Sequence, residues 1–390
     1  IEIFGYIAAY SMKSITVMNK YFFISLLCML LLSCNKQNSK TEQKILQVEL
    51  SPQKLAASTL FKKIEVIPLE TNDQCLIKAI GRIIETDDKY YILDDDKDAG
   101  ILFCFDKQGK YLSKIDKKGN GPGEYNLIYE AIVKPEENLI HLLSPMGAIH
   151  TYTTDGQFIK RNLLPAGGET DMIEIDKGLF AYWTLLGNPE ENTVTFYDMD
   201  KEEVTGGFWK TTDDNFMTNM CIDVFYKYNN ENYFSTQFAN EVYRFTKDTV
   251  ELAYKWDFGP ANINLKPFKE RVKEDPNVFP QLTESHEIPY SFFRQFQNKD
   301  YYYTVLNTWN IDKWCNVFYR KKDGKSFVFD TLEGGAKIKK TSIFTDEYMI
   351  SIVSPEEIGT FHNSFPAEEF NKVKDLPEDA NFCLVKYYFK

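Results

Sequence analysis

Basic surface is what this sequence lacks most clearly. Its 390 residues include 45 Lys and Arg against 57 Asp and Glu, which gives a formal net charge of -12 and a pI near 5.1. Proteins that bind nucleic acids carry a basic patch that neutralises phosphates, and the sequence has no basic run of this kind. The composition excludes nucleic acid as a predicted partner, and the acidic excess is interpreted as a solubility feature.

Histidine is also scarce, and the residue patterns of common catalytic sites are missing. The four histidines are His141, His150, His286 and His362. The first two belong to one predicted structural unit and are not expected to point at one ion. No Gly-x-Ser-x-Gly elbow and no plausible Cys/His pair occur, so a hydrolase is not indicated. The sequence predicts no catalytic residue and no cofactor.

The seven cysteines are neither paired nor clustered. No Cys-x-x-Cys motif and no Cys/His cluster is present, which argues against structural zinc. Apart from Cys28 and Cys34 near the N-terminus, five cysteines are left at wide spacings. An odd number at such spacings is not a disulfide framework. Cys104 and Cys383 lie within apolar runs and are expected to be small buried side chains.

Apolar runs long enough to span a bilayer are absent, but a shorter one lies near the N-terminus. It covers residues 21–32, follows Asn19-Lys20 and leads into Leu31-Leu32-Ser33-Cys34. About 20 residues are needed for a transmembrane helix, so the run is too short. The tetrapeptide resembles the lipobox of bacterial lipoproteins, which implies cleavage before Cys34, lipid attachment at Cys34 and a membrane anchor.

These features give a predicted domain organisation. Residues 1–17 precede Met18 and are interpreted as an upstream extension, residues 18–33 as a lipoprotein signal peptide, and residues 34–44 as a polar, flexible tether. Residues 45–390 form the folded domain. Position 35 is Asn rather than Asp, so the best-known signal for retention at the inner membrane is absent. The expected location is the outer membrane, facing the periplasm, with surface exposure left open.

Aromatic residues are abundant, and they favour β-structure. The sequence contains 24 Tyr, 30 Phe and 5 Trp, or 15% of all residues. Aromatic side chains fit pleated, half-buried sheets. Residues 101–125 show the pattern most clearly: two short strands, 101–105 and 110–115, flank an Asp-Lys-Gln-Gly turn, and a connector spaced by glycines follows.

Strand-rich units recur along the folded domain at intervals of roughly 40 to 70 residues, and six can be recognised. The first hairpin turn is echoed by Asp155-Gly156 one unit later. Several short strands per unit at this spacing predict an all-β fold, a six-bladed β-propeller with four-stranded antiparallel blades. Residues 61–70 are predicted to close the ring beside residues 382–389, with Pro68 near the strand end, where its missing donor does least harm.

The first two units resemble the NHL repeat. The resemblance rests on residues 105–112, on the connector 119–125, on residues 67–71 and 91–94, and on the lipobox. Together these features are similar to the six-bladed β-propeller lipoproteins of the Bacteroidota type, over about residues 45–390. The resemblance implies a fold and a cellular location rather than an activity.

Glycines of the connector are predicted to be structural. Gly119, Gly121 and Gly123 are expected to adopt positive φ cheaply, and Pro122 fixes its own φ near -65°. A phosphate-binding loop would instead require a helix with Lys-Ser/Thr after the glycines. Glu124 and Tyr125 follow here, so the connector is interpreted as a turn between blades.

Acidic residues of one turn are weak candidates for a metal site. Asp94, Asp96 and Asp98 alternate as calcium ligands do, but Ala99 and Phe105 occupy the positions at which an EF-hand has Gly and Glu. An ordinary turn rich in Asp is the competing interpretation.

Aromatic residues in the longer connecting segments are candidates for a binding face. Trp209, Phe216, Tyr290 and Phe293 lie in or next to residues 205–222 and 257–292, and loops on a rigid scaffold often carry binding residues. The leading hypothesis is a lipid-anchored, non-catalytic binding or scaffolding propeller that recognises a protein partner or a glycan fragment. The alternative is a metal-assisted propeller enzyme, lactonase-like or lyase-like, with its site at the central channel.

Overall fold

Short strands dominate the computed structural model, which describes residues 44–94, 96, 100–165, 167–185, 190–210, 223–275, 277–309 and 314–390. The strands form six sheets in which neighbours along the chain are usually neighbours in the sheet. The predicted all-β, six-bladed propeller with four antiparallel strands per blade is confirmed. The upstream extension, the signal peptide and the tether up to residue 43 lie outside the described residues.

The strands follow the chain blade by blade. Two precede the first blade: β1 (Ile45–Gln47) and β2 (Phe61–Pro68). Blade 1 contains β3 (Ile80–Glu85), β4 (Lys89–Asp94), β5 (Ile101–Asp106) and β6 (Tyr111–Ile115). Blade 2 contains β7 (Glu130–Lys134), β8 (Leu139–Ser144), β9 (Ala148–Tyr152) and β10 (Phe158–Leu163). Blade 3 contains β11 (Glu169–Asp176), β12 (Leu179–Thr184), β13 (Val194–Asp198) and β14 (Glu203–Phe208).

The remaining blades recruit the two N-terminal strands. Blade 4 contains β15 (Phe225–Tyr228), β16 (Glu231–Ser235), β17 (Glu241–Phe245) and β18 (Val250–Asp257), with β1 as a fifth strand. Blade 5 contains β19 (Ser291–Gln297), β20 (Tyr301–Asn307), β21 (Trp314–Arg320) and β22 (Ser326–Phe329). Blade 6 contains β23 (Ile343–Phe344), β24 (Tyr348–Val353) and β25 (Cys383–Phe389), completed by β2.

Helices occur only as short inserts in the described part of the chain. α1 (Lys269–Glu274) and α2 (Val278–Glu284) lie between blades 4 and 5, and α3 (Ala367–Asn371) lies between β24 and β25. Short 3₁₀ helices cover Ala57–Thr59, Pro135–Glu137, Gly259–Ala261, Lys266–Phe268 and Pro355–Phe361. None of the helices described is long and apolar enough to cross a membrane.

The core is divided among the blade interfaces instead of forming one centre. Six clusters of buried apolar side chains are present, and each draws its members from two adjacent blades. The second strand of a blade is therefore buried on both faces, as in β12, where five of six residues are buried. Outer strands such as β10 and β14 keep most residues exposed or half-buried. This burial gradient explains why aromatic and β-branched residues concentrate in the inner strands.

The ring closes as the sequence predicts. β2 pairs with β25 in antiparallel register from Phe61 opposite Phe389 to Pro68 opposite Cys383, so the first and last segments of the domain share one blade. Pro68 is the last residue of its strand. A feature without a sequence signal is β1, which pairs in parallel with β18, Ile45 lying opposite Lys255.

The connector 119–125 is a turn, but its glycines serve a different purpose from the predicted one. None of Gly119, Gly121 and Gly123 has a positive φ. A Cβ at Gly119 would lie 2.0 Å from Oε2 of Glu124, and one at Gly123 would lie 2.8 Å from the ring of Phe158. Crowding by Phe158 at Gly123, rather than left-handed backbone, therefore favours glycine here, whereas the flexible, exposed side chain of Glu124 could move away from a Cβ at Gly119.

Candidate functional site

The innermost strands of the blades bring five charged side chains together at one end of the central channel. Each of blades 1 to 5 supplies one of them, and we call the set the charge ring: Arg82, Glu130, Asp171, Asp223 and Arg294. Blade 6 contributes the backbone carbonyl of Thr341, which accepts from Arg294.

Irregularities in strand pairing set the direction of some of these side chains. The pairing register shifts next to Arg82 in β3, next to Asp171 in β11 and next to Arg294 in β19. Such bulges bend a strand and redirect its side chains. Asp223 precedes β15 with a φ of 56°, a conformation that Asp tolerates better than most residues.

Arg82 is the hub of the charge ring. Its guanidinium contacts a carboxylate oxygen of Glu130, lies 3.2 Å from Oδ1 of Asp171, and lies 2.9 Å from Oδ1 of Asp223. The side chains of Glu130 and Asp171 are only 5% and 2% exposed. A guanidinium offers five donors in a fixed plane, which suits contact with several carboxylates at once.

Arg294 links the charge ring to blade 6 and to blade 1. Its Nη2 lies 3.3 Å from Oδ2 of Asp223 and donates to the carbonyl oxygen of Gly81 at 3.1 Å. Its Nη1 donates to the carbonyl oxygen of Thr341 at 3.4 Å. The two arginines thus connect all six blades through buried, charge-assisted contacts.

Asp171 also holds the backbone of the neighbouring blade. Its Oδ2 accepts from the amides of Val224 at 2.6 Å and Phe225 at 3.0 Å, and its Oδ1 accepts from its neighbour Met172 at 2.8 Å. The carboxyl of Glu130 accepts a single backbone bond, from Ala131. Asp171 is therefore better solvated by the protein as an anion than Glu130 is.

The charges of the ring do not balance if every carboxyl is ionised. Two guanidinium groups face three carboxylates, which leaves one negative charge in excess. Burial raises the pKa of Glu130 against the pull of Arg82, and the charge of Asp171 raises it further. Burial alone would raise the pKa of Asp223 too, but the charges of Arg294 and Arg82 lower it. Burial raises the pKa of Asp171 as well, against the charge of Arg82. Because Asp171 accepts three backbone bonds and Glu130 accepts one, we assign the compensating proton to Glu130.

One carboxyl at the same end of the channel has no such partners. Glu169, the first residue of β11, is 0% exposed, and neither oxygen finds a hydrogen-bond partner in the part of the chain described. Burial raises its pKa to about 7, although its own amide and that of Gly147 lie near enough to oppose the shift. A buried carboxyl without a partner favours its neutral form.

The opposite end of the inner strands carries a different arrangement. Lys134, the last residue of β7, lies 2.8 Å from Oε1 of Glu174 on β11 and 2.7 Å from Oε1 of Glu137. Lys227 on β15 is exposed. A cavity of 380 Å³ runs along these strands, from Arg82, Glu130 and Asp171 to Lys134, Glu174 and Lys227.

Histidines do not gather at the channel. His141 is buried, its Nδ1 lies 3.0 Å from Oγ1 of Thr151, and its ring packs edge-on against Phe180. His150 packs in the same way against Tyr125. Burial lowers the pKa of both histidines to about 4. Among the described residues, no group of three or more His, Cys, Asp and Glu side chains is arranged to hold a metal ion.

The predicted calcium candidates do not form a common site in the described region. Asp94 caps a turn: its carboxylate accepts from the amides of Lys78, Ala79 and Asp96. Asp96 pairs with the ammonium of Lys78 at 3.2 Å. Asp98 lies outside the described residues.

The predicted aromatic binding face is also dispersed. Tyr290 is 3% exposed and its hydroxyl donates to the carbonyl of Ala261, so it belongs to the core. Trp209 is half-buried against Phe234, and Phe293 is half-buried against Trp314. Phe216, like the lipid-attachment candidate Cys34, lies outside the described residues.

Sequence reasoning missed the charge ring because its members are far apart along the chain. Each signal is a single charge inside an apolar strand, such as Arg82 between Ile80 and Ile83 or Arg294 after Phe292 and Phe293. A charge in a buried strand requires a partner, but only the order of the blades identifies which one.

Comparisons with known proteins agree with this architecture. The sequence model of a family described as "Domain of unknown function (DUF4934)" matches residues 44–388. A solved structure from Bacteroides fragilis, of a protein whose name describes it as exported, is 18% identical with a TM-score of 0.74 over 89% of this chain and 100% of that one. A member of the DUF4221 family from Bacteroides vulgatus is 12% identical with a TM-score of 0.55 over 85% of this chain and 97% of that one. At these identities the likeness concerns the fold alone. No curated protein matches the sequence.

Proposed function

The chain belongs to the DUF4934 family, and we propose that it is a non-catalytic binding or scaffolding propeller of the cell envelope. The observation that carries this proposal is the mutual pairing within the charge ring. Propeller enzymes that use a metal need carboxylates and histidines available at the channel. Here Arg82 and Arg294 engage the three ring carboxylates, and each histidine of blade 2 packs edge-on against an aromatic ring.

An exposed apolar edge of blade 2 is the surface that we assign to a partner. Tyr129, Met146 and Leu163 are 41%, 66% and 65% exposed. Backbone bonds from Tyr129 to Leu143 and from Leu164 to Gly147 place the three at the same end of the four strands, so this edge is the rim of the blade and not an outer strand. Exposed apolar groups that cluster are typical of protein interfaces. A protein partner fits this edge better than a glycan does, because, of the described aromatic rings predicted to stack on sugars, Tyr290 is buried and Trp209 and Phe293 are half-buried.

Charge substitutions on this edge test the assignment. We expect the purified propeller domain to retain a defined partner from solubilised envelope of the producing cell, and Met146→Glu with Leu163→Glu to abolish that retention. Val204→Glu is the matched control, since Val204 is 44% exposed on β14 of blade 3. Retention that survives both edge substitutions would contradict the assignment, and binding to a glycan array in their place would favour the glycan.

Attachment to the membrane through Cys34 is part of the same proposal. The lipobox-like sequence before Cys34 supports it, and so does the exported relative. Labelled palmitate should be incorporated into the full chain and lost in Cys34→Ala, whereas Cys28→Ala should keep the label. Equal labelling of the two variants would refute lipidation at Cys34. The likeness of the first hairpins to the NHL repeat stays a prediction.

A further inference from the structure

One cation of the cavity along the inner strands forms no direct ion pair among the residues that the structure describes. Arg82 contacts three carboxylates and Lys134 contacts two. Lys227 forms no ion pair within 4.0 Å in the part of the chain that the structure describes. The Lys227 residue as a whole is exposed, but protein atoms around its ammonium partly desolvate it and lower its pKa; Glu174 opposes this shift and the charge of Lys134 adds to it. At this end of the cavity Glu136 and Glu174 also belong to the lining, and Lys134 is engaged by Glu174 and Glu137. Lys227 is therefore the cation that an anionic group of a ligand can contact directly.

Apolar walls adjoin this charge. Between its two charged ends the 380 Å³ cavity is lined by Ile132, Val133, Met172, Ile173 and Phe225. A cavity of this size with a few convergent polar groups is typical of a small-molecule site. The lining suits a ligand that combines an uncharged body with one charged group.

The charge ring limits the ligand to one negative charge. At the far end of the cavity Glu130 and Asp171 lie beside Arg82, and the ring has no positive charge left over. A second anionic group at that end would face carboxylates across a low-dielectric space, which is unfavourable. The negative group therefore belongs at Lys227, and the uncharged body points along the strands toward the ring.

We propose that this cavity binds a small organic carboxylate, with the carboxylate at Lys227 and the body against Ile132, Met172 and Phe225. The site is separate from the apolar edge of blade 2, so it goes beyond the proposed partner binding and can fail or succeed independently of it. No covalent step is involved.

Matched probes test the charge requirement by calorimetric titration of the propeller domain. Phenylacetate, hexanoate and glucuronate present one carboxylate on three different bodies. Phenethyl alcohol and phenethylamine replace the carboxylate of phenylacetate with a neutral and a cationic group. We expect at least one carboxylate to bind and its uncharged and cationic counterparts to bind about tenfold more weakly or not at all, as loss of a charge-assisted hydrogen bond predicts.

Variants locate the site. Lys227→Met should weaken carboxylate binding about tenfold, and Lys227→Arg should retain it. Lys247→Met is the control, because Lys247 is an exposed lysine of the same blade, 60% exposed in the turn between β17 and β18. Unfolding curves of all variants establish that the fold is intact.

Proton uptake gives a second readout. Because an anion beside Lys227 raises the pKa of its ammonium, binding near the lowered pKa should take up protons. Titrations in two buffers of different ionisation enthalpy measure this uptake, and Lys227→Arg should abolish it. The proposal is overturned if none of the three carboxylates binds at millimolar concentration, if the alcohol binds as well as the acid, or if Lys227→Met leaves affinity unchanged.

Discussion

The two ends of the inner strands use charge in opposite ways. At the start of β7 and β11, Glu130 and Asp171 are buried and engaged by Arg82. About four residues further along, a distance of roughly 13 Å in a strand, Lys134 and Glu174 form a pair at the other end, and Lys227 is exposed there without an ion pair in the described residues.

This difference separates charges that hold the blades together from charges that are available to a ligand. In the ring, each carboxyl contacts a guanidinium from another blade or a backbone amide, so removal of one member leaves the others buried without compensation. At the end with Lys134, Glu174 and Lys227, which we call the open end, water can replace a lost partner. The same strands therefore carry charges buried in mutual contacts at one end and, at the other, a lysine that solvent or a ligand can reach.

Replacement of Arg82 should have the largest effect on stability. Arg82→Met leaves Glu130, Asp171 and Asp223 buried without their shared cation, and we expect the free energy of unfolding to fall by about 3–5 kcal/mol. Urea denaturation measures it. Arg161→Met, on exposed β10, should stay within about 0.5 kcal/mol of wild type. A cost at Arg82 as small as that at Arg161 would show that the ring does not hold the blades.

Within the ring, two carboxyls should respond differently to neutral replacement. In Asp171→Asn an amide NH₂ would oppose Arg82 or the backbone amides that now donate to the carboxylate, which should cost about 2–3 kcal/mol. Glu130→Gln removes no charge if Glu130 carries the proton, but its NH₂ would oppose either Arg82 or the amide of Ala131, which donate to the two carboxyl oxygens. A cost of about 1 kcal/mol, smaller than that at Asp171, is expected.

Denaturation of both variants at neutral pH checks where the proton lies. Equal costs, or a larger cost at Glu130, would move the proton away from Glu130. The same comparison at about pH 9 gives a further check. The wild type begins to lose the proton on Glu130 at that pH, whereas Glu130→Gln has no such proton, so the difference between their free energies of unfolding should change.

Glu169 differs from the carboxyls of the charge ring because it is buried without a hydrogen-bond partner among the described residues. Glu169 has a pKa of about 7 in the folded chain, above the roughly 4.3 of an unfolded glutamate. The folded state therefore binds the proton more tightly. This contribution to stability is complete below about pH 4 and is lost as the pH rises through 7.

Glu169→Gln should remove this dependence. At about pH 8 the variant should be more stable than wild type by about 1–3 kcal/mol, and at about pH 4 the two should agree closely. Denaturation at both pH values measures the difference. A gain that is the same at both pH values would mean that ionisation of Glu169 is not its cause.

The contrast between the ends also explains what the sequence could predict. Blades were predictable because their signals are local: the hairpin turn at Asp106 and Gly109 recurs at Gly156, and the strand ending at Pro68 has the pattern needed for closure. The charge ring was not predictable, because Arg82 and Arg294 acquire partners only when the blades are arranged in order. The reason predicted for the glycines was also wrong, since none has a positive φ and the crowding at Gly123 depends on the position of Phe158 in the next blade.

The smallest effect on stability is expected at the open end. Lys227→Met removes an exposed side chain that forms no ion pair among the described residues, so the free energy of unfolding should change by less than about 0.5 kcal/mol. Lys134→Met removes two ion pairs from a side chain that is 11% exposed, and about 1 kcal/mol is expected because those pairs are only partly screened. Denaturation of the two variants side by side measures this. A large cost at Lys227 would mean that it is structural, like the ring, and the division between the two ends of the channel would no longer hold.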